Sequence, residues 1–140
     1  MRHYIIVTHA YLSKGFKSSI EMIIGKQENV SYYFAYVEEN INFVNEIKEE
    51  ISKFNINDEV LILTDMFGGS VNNEMMELIK VLNVHLITGI NLILIISLLL
   101  DSSDLSIGEM IQKNINEAKQ GMIYCNNLNR DEENASLDEF

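Results

Sequence analysis

The sequence predicts an α/β fold: a doubly wound, mainly parallel sheet with helices on both faces. The first observation is alternation, because short apolar runs typical of strands are separated by segments whose apolar residues recur at helical spacing. The second is the continuous apolar run "EVLILT", which is typical of a strand covered on both faces. The length of 140 residues suits one domain.

The first half of the chain carries three predicted strands. "HYIIVT" (3–8) is followed by an amphipathic helix over 11–24, which Gly25 ends. "VSYYFAYV" (30–37) is rich in β-branched and aromatic residues, as strands are. A second amphipathic helix covers 41–54, and "EVLILT" (59–64) follows it. Two βα units in succession favour the parallel arrangement.

The second half continues the alternation. The turn "DMFGGS" precedes a predicted helix over 71–82, and "VHLIT" (84–88) is the fourth strand. Helices are then predicted over 92–100 and 105–120, and "GMIYCN" (121–126) reads as a last short strand. We expect a domain over 1–126 and an acidic tail over 127–140, which its composition predicts to be disordered.

Charge and composition exclude several functions. The net charge of −11 disfavours nucleic acid and anionic membranes as partners, since both are polyanions. Cys125 is the single cysteine, so no internal disulfide forms and a cytoplasmic location is expected. Residues 81–100 are apolar enough to test for a membrane span, but polar residues and Gly89 interrupt them. No dinucleotide fingerprint, metal-binding spacing or other cofactor motif is present.

Candidate chemistry lies where the predicted strands end, because open parallel sheets bind ligands beyond the carboxyl ends of their strands. His9 follows the first strand and Asp65 the third. If these strands are neighbours, the carboxylate can fix the imidazole tautomer and leave the other ring nitrogen free to attack. Two plainer interpretations stay open: His9 caps a turn, and Asp65 accepts backbone N–H groups.

The segment "GGS", Gly68, Gly69 and Ser70, opens the third helix. Glycines let backbone N–H groups approach a ligand closely, and helix N-termini attract anions such as phosphate. The plainer alternative is a Gly-Gly turn with Ser70 as the N-cap. A histidine, an aspartate and a glycine loop at three strand ends together favour an anion-handling site.

The motifs "IIVTHA", "LILTDMFGGSVNN" and "LITGINLILI" resemble the enzyme IIA domain of the mannose-family sugar phosphotransferase system over about residues 1–125. The resemblance implies that His9 carries a phosphoryl group, that Asp65 bonds its ring, and that Gly68, Gly69 and Ser70 surround the phosphoryl group. Asn73 matches an asparagine of the family's Gly-Gly-Ser motif.

The resemblance also implies partners. Family members accept the phosphoryl group from the phosphocarrier protein HPr and pass it to enzyme IIB, which phosphorylates sugar at a membrane permease. The family is usually a homodimer that exchanges its C-terminal strand, and "GMIYC" matches that strand in position.

The sequence departs from the family at three positions. Ala10 replaces a frequent glycine, and Val71 and Ile93 replace frequent prolines. Ala10 is expected to narrow the approach to His9. Two alternatives therefore stay open: the phosphotransfer subunit of a dihydroxyacetone kinase, which tends to lack the Gly-Gly-Ser arrangement, and a regulatory interaction module that keeps the fold.

Overall fold

A computed structural model describes residues 1–39, 41–80 and 83–128 and contains a four-stranded parallel sheet in the order β2-β1-β3-β4. Parallel pairing in this order, with helices on both faces, confirms the doubly wound α/β prediction. The first and third strands are neighbours, as the predicted contact between His9 and Asp65 requires. The strands are β1 (Arg2–His9), β2 (Val30–Ala35), β3 (Glu59–Thr64) and β4 (Val84–Ile87).

The helices follow the strands along the chain. Asparagine or serine oxygens accept the first free backbone N–H groups of three of them, at Asn42, Asn91 and Ser106. The bounds are α1 (Leu12–Ile24), α2 (Phe43–Ser52), α3 (Ser70–Met75), α4 (Leu92–Leu100) and α5 (Ile107–Lys119), with 3₁₀ turns at Met76–Lys80 and Cys125–Asn127.

Two hydrophobic cores cover the sheet, one on each face. Successive strand residues point to opposite faces, so Ile6 and Leu61 pack with α1, α4 and α5. Ile5 and Ile62 pack on the other face with α2 and α3. All four side chains are fully buried, which holds β1 and β3 rigidly at the centre. No helix in the three described ranges is long and apolar enough to cross a membrane.

Two predicted elements need correction. The helix expected over 71–82 is α-helical only to Met75 and continues as a 3₁₀ helix to Lys80, while 81 and 82 lie outside the described residues. The asparagines of "VNN" lie in the α-helical part, so helix propensity does not explain the change, but 3₁₀ turns are frequent where α-helices end.

The predicted last strand is also wrong within this single chain. Residues 122–124 have no regular structure, and a 3₁₀ turn follows. A strand needs a neighbour for its backbone hydrogen bonds, and none of the four described strands pairs with this segment. The end of the predicted tail, 129–140, lies outside the described residues, so its disorder stays a prediction.

Candidate active site

His9 and Asp65 meet at the carboxyl ends of the two central strands. Parallel register pairs Val7 with Thr64, which brings the residues that follow onto the same edge. The His9 Nδ1 atom lies 2.9 Å from Asp65 Oδ2, and the His9 backbone N–H donates to the same oxygen at 3.0 Å. The contact expected from the strand order is therefore present, and Asp65 also accepts a backbone N–H group.

The charge of Asp65 determines the tautomer of His9. Burial acts to raise the pKa of Asp65, but the hydrogen bonds from the His9 backbone and ring outweigh it and lower that pKa overall. The carboxylate is thus ionised at neutral pH and can only accept a hydrogen bond. The Nδ1 atom of His9 therefore carries the hydrogen. Nε2 is left with its lone pair on a side chain that is 39% exposed.

The glycine loop lies against the other side of the imidazole. A Cβ atom on Gly69 would stand 3.5 Å from His9 Cε1 and 3.4 Å from the Met66 carbonyl oxygen, which are ordinary van der Waals contacts, so Gly69 lies beside the ring but is not required there by space. Gly68 has a φ of +73°, which glycine adopts without strain. Ser70 Oγ lies 3.4 Å from His9 Nε2.

Ser70 does not cap helix α3. Gly69 occupies the N-cap position, and no side chain there makes a capping hydrogen bond. The serine N-cap considered from the sequence is therefore wrong, and the hydroxyl faces His9 instead. Asn73, the other loop residue that the motif suggested, donates from Nδ2 to the Gly68 carbonyl at 3.4 Å.

Sequence reasoning missed two buried polar pairs that fix the strand ends. Thr64 Oγ1 donates to Asn72 Oδ1 at 2.8 Å, which ties β3 to α3. The Ser13 backbone N–H donates to Thr8 Oγ1 at 2.8 Å, which ties β1 to α1. These four side chains are buried. The sequence around each pair contains no motif that marks the two residues as partners. A partner for each could have been sought because buried polar groups are nearly always hydrogen-bonded.

Tyr36 is a further neighbour of His9 that the sequence did not reveal. Its ring centroid lies 5.8 Å from that of His9. The sequence placed Tyr36 inside a strand, but β2 ends at Ala35 and Tyr36 has a φ of +64°. Ala10, which replaces a frequent family glycine, also adopts a positive φ of +50°.

The other histidines lie away from this site. His3, near the start of β1, is hydrogen-bonded to Asp58 through Nε2 at 2.9 Å. His85 lies near the start of β4. Across 1–39, 41–80 and 83–128, no group of three or more His, Cys, Asp or Glu side chains is placed to hold a metal ion.

Comparison with known proteins gives a family match over most of the chain. Residues 3–115 match the EIIA-man family, described as the PTS system fructose IIA component, where PTS denotes the sugar phosphotransferase system. No curated protein is significantly similar to the chain.

Several solved structures are similar in fold. One, from Klebsiella pneumoniae and described as a phosphoenolpyruvate-dependent sugar PTS permease, is 36% identical, with a TM-score of 0.83 and coverage of 90% of this chain and 92% of that one. The EIIA component from Streptococcus agalactiae is 26% identical, with a TM-score of 0.78 and coverage of 91% and 100%.

The mannose/sorbose-specific IIA subunit from Enterococcus faecalis is 18% identical, with a TM-score of 0.73 and coverage of 87% and 92%, a likeness that shows the fold alone. The sequence match spans most of the chain, and its residues include both His9 and Asp65. The chain therefore belongs to the EIIA-man family and is a mannose-family IIA component of the sugar phosphotransferase system.

Proposed function

We propose that this IIA component carries a phosphoryl group on Nε2 of His9, accepting it from HPr and passing it to enzyme IIB for sugar uptake and phosphorylation. The observation that supports it most is the His9–Asp65 contact, in which one carboxylate oxygen holds Nδ1 at 2.9 Å. The other ring nitrogen is then the nucleophile. The proposal rests on this geometry and on family membership.

Each neighbour of His9 has a distinct part in the proposed transfer. Asp65 orients the ring and keeps the proton on Nδ1. Ser70 is placed to donate its hydroxyl hydrogen to a phosphoryl oxygen, and Gly69 lies beside the ring, where the lack of a side chain leaves its backbone open to a phosphoryl group. Phosphoryl transfer depends mainly on such positioning and charge stabilisation, so few groups are needed.

The charge around His9 is compatible with releasing a phosphoryl group to the next protein. The side chains described beside the ring are Asp65, Ser70 and Tyr36, and none of them is cationic. A strong cationic clamp would hold the phosphoryl group and slow its onward transfer. In this proposal the bound group stays reactive toward the next acceptor.

The proposal includes a cytoplasmic location, an indirect link to a membrane permease, and a homodimer. Support for the dimer comes from the segment after α5, where Met122, Ile123 and Tyr124 are exposed apolar residues without regular structure. In an exchanged dimer this segment would gain a strand partner. Light scattering measures the mass directly, and a monomer at micromolar concentration would contradict this part.

The function is tested by phosphoryl transfer from labelled phosphoenolpyruvate through the general carriers to this protein. We expect acid-labile label on the wild type and no label on His9→Gln. His3→Gln is the matched control, since it alters a histidine on the same strand, and it should be labelled normally. Label that persists in His9→Gln would move the site elsewhere. A folded wild type that takes no label would contradict the proposal and favour a regulatory module.

The dihydroxyacetone kinase alternative is less well supported. Gly69 lies against the His9 ring and Ser70 faces Nε2. This is the Gly-Gly-Ser arrangement that the kinase subunit tends to lack. Transfer to a IIB protein, but not to a dihydroxyacetone kinase, would separate the two.

A further inference from the structure

Tyr36 occupies a backbone conformation that is costly for its residue type. With a φ of +64° it lies in the left-handed region, which bulky side chains rarely adopt. The side chain gains little burial in return, because the residue is 54% exposed. Such strain persists only where the surroundings enforce it, and it is concentrated at functional sites.

This conformation holds the phenol ring beside the imidazole of His9. The two ring centroids are 5.8 Å apart, with the planes tilted by 44°. The Phe43 ring packs edge-on against the Tyr36 ring at 5.4 Å, and the Tyr36 hydroxyl donates to Glu74 Oε1 at 3.2 Å. The ring is thus fixed from α2 on one side and from α3 on the other.

Phosphorylation of His9, as proposed above, would change the charge that this ring faces. The lone pair of Nε2 forms the new bond to phosphorus, while the bond from phosphorus to the donor atom breaks and its electron pair returns to the donor. Nδ1 keeps its proton, so the imidazole ring carries a positive charge while the phosphoryl group attached to Nε2 carries two negative charges. The 5.8 Å between the two ring centroids is within the distance of about 6 Å at which an aromatic ring attracts a cation.

We propose that Tyr36 is a positioning residue that stabilises the cationic ring of phosphorylated His9 and so sets how strongly this protein retains the phosphoryl group. The inference rests on the proposed phosphorylation of His9. Asp65 holds the edge of the same cation through Nδ1.

The experiment measures the equilibrium constant for phosphoryl exchange between HPr and this protein, with labelled HPr mixed with each variant. An equilibrium constant does not depend on how well the two proteins dock, since docking changes only the rates. Tyr36→Leu and Tyr36→Gly both remove the ring, but glycine relieves the backbone strain and leucine does not. Tyr36→Phe keeps the ring. Tyr11→Leu is the matched control, because Tyr11 is equally exposed and packs on Phe34 rather than on His9.

We expect Tyr36→Leu and Tyr36→Gly to lower the phosphorylated fraction to the same extent, by about two- to fivefold in the equilibrium constant, the size of an exposed cation–π contact. Tyr36→Phe and Tyr11→Leu should stay close to the wild type. Unchanged values for both ring-removing variants would overturn the inference and leave the proposed function intact.

A shift in Tyr11→Leu as large as that in Tyr36→Leu would also overturn the inference, because the effect would not be specific to the ring beside His9. Different shifts for the leucine and glycine variants would assign the effect to the backbone and overturn it as well. A wild type that takes no label on His9 would overturn the proposed function and this inference together.

Discussion

Strand β1 carries a histidine paired with an aspartate at each end, and the two pairs differ in what they leave free. His3 and His9 each lie 2.9 Å from a carboxylate oxygen of a residue that flanks β3, Asp58 before it and Asp65 after it. At the amino end Nε2 is the bonded nitrogen, whereas at the carboxyl end Nδ1 is bonded.

Access to the two rings differs as well. The Phe54 ring lies flat on His3 with centroids 3.6 Å apart and planes within 5°, and the His3 side chain is 14% exposed. The His9 ring is 39% exposed, and the aromatic ring beside it, that of Tyr36, is tilted by 44°. A His–Asp pair therefore fastens the chain at one end of the strand and leaves the second ring nitrogen accessible at the other. The difference lies in which nitrogen is bonded and in whether the ring is covered.

Removing each aspartate in turn should give the largest difference between the two ends of β1. Asp65→Ala is expected to slow labelling by about 100-fold, the usual effect of a misplaced reacting group, while His9 remains the labelled residue. Asp58→Ala should leave the labelling rate within about twofold, because its partner has no part in transfer. The rates are measured by rapid quench with labelled HPr. Equal rates for Asp65→Ala and the wild type would remove Asp65 from the mechanism.

Acid should weaken both ends by the same physical route. The hydrogen bond from His3 is the main cause that lowers the pKa of Asp58. For Asp65, burial acts to raise the pKa, but the His9 hydrogen bonds lower it overall. Each carboxylate thus stabilises the fold fully above its unfolded-state pKa of about 3.9, and the stabilisation is lost as the pH falls through the lower folded value.

Urea unfolding between pH 6 and pH 2 tests this pH dependence. Asp58→Asn and Asp65→Asn should each flatten the loss of stability below about pH 4. Glu28→Gln serves as the control, since Glu28 lies on the surface with its side chain 82% exposed. A wild-type stability that rises on acidification through this range would contradict the sign.

The smallest effect is expected from a substitution of Ala10, which follows His9 and has a positive φ. Ala10→Gly relieves a left-handed conformation at a cost in unfolded-state entropy, so we expect a net stabilisation below about 1 kcal/mol. Ala35→Gly is the opposite control, because Ala35 is fully buried in β2 and should lose stability. Thermal unfolding measures both. A loss in Ala10→Gly as large as that in Ala35→Gly would show that Ala10 is unstrained.

The pattern of apolar residues was sufficient to predict the four strands and their parallel arrangement, and the contact of His9 with Asp65 followed on the condition that β1 and β3 are neighbours. Those features depend on local periodicity and on general rules of sheet topology. Tyr36 was not predicted, because "VSYYFAYV" is uniformly strand-like and nothing in it marks where the backbone turns left-handed.

The predicted last strand is wrong within this single chain, and the local sequence could not have excluded it. Residues 121–126 have a strand-like composition, but a strand also needs an adjacent edge, and local sequence does not state whether one is available. The alternative in which Ser70 caps α3 is wrong for a related reason: serine favours N-caps in general, whereas here Gly69 takes that position.

One oxygen of Asp65 accepts both the backbone N–H and the ring Nδ1 of His9. The imidazole is therefore tethered to its own main chain, and turning it over would break the ring contact while the backbone contact held the carboxylate in place. The fold thereby determines the regioisomer of the proposed phosphorylation, and the native protein should yield the Nε2 phosphoramidate alone. In the unfolded chain, a small chemical donor should react with both ring nitrogens.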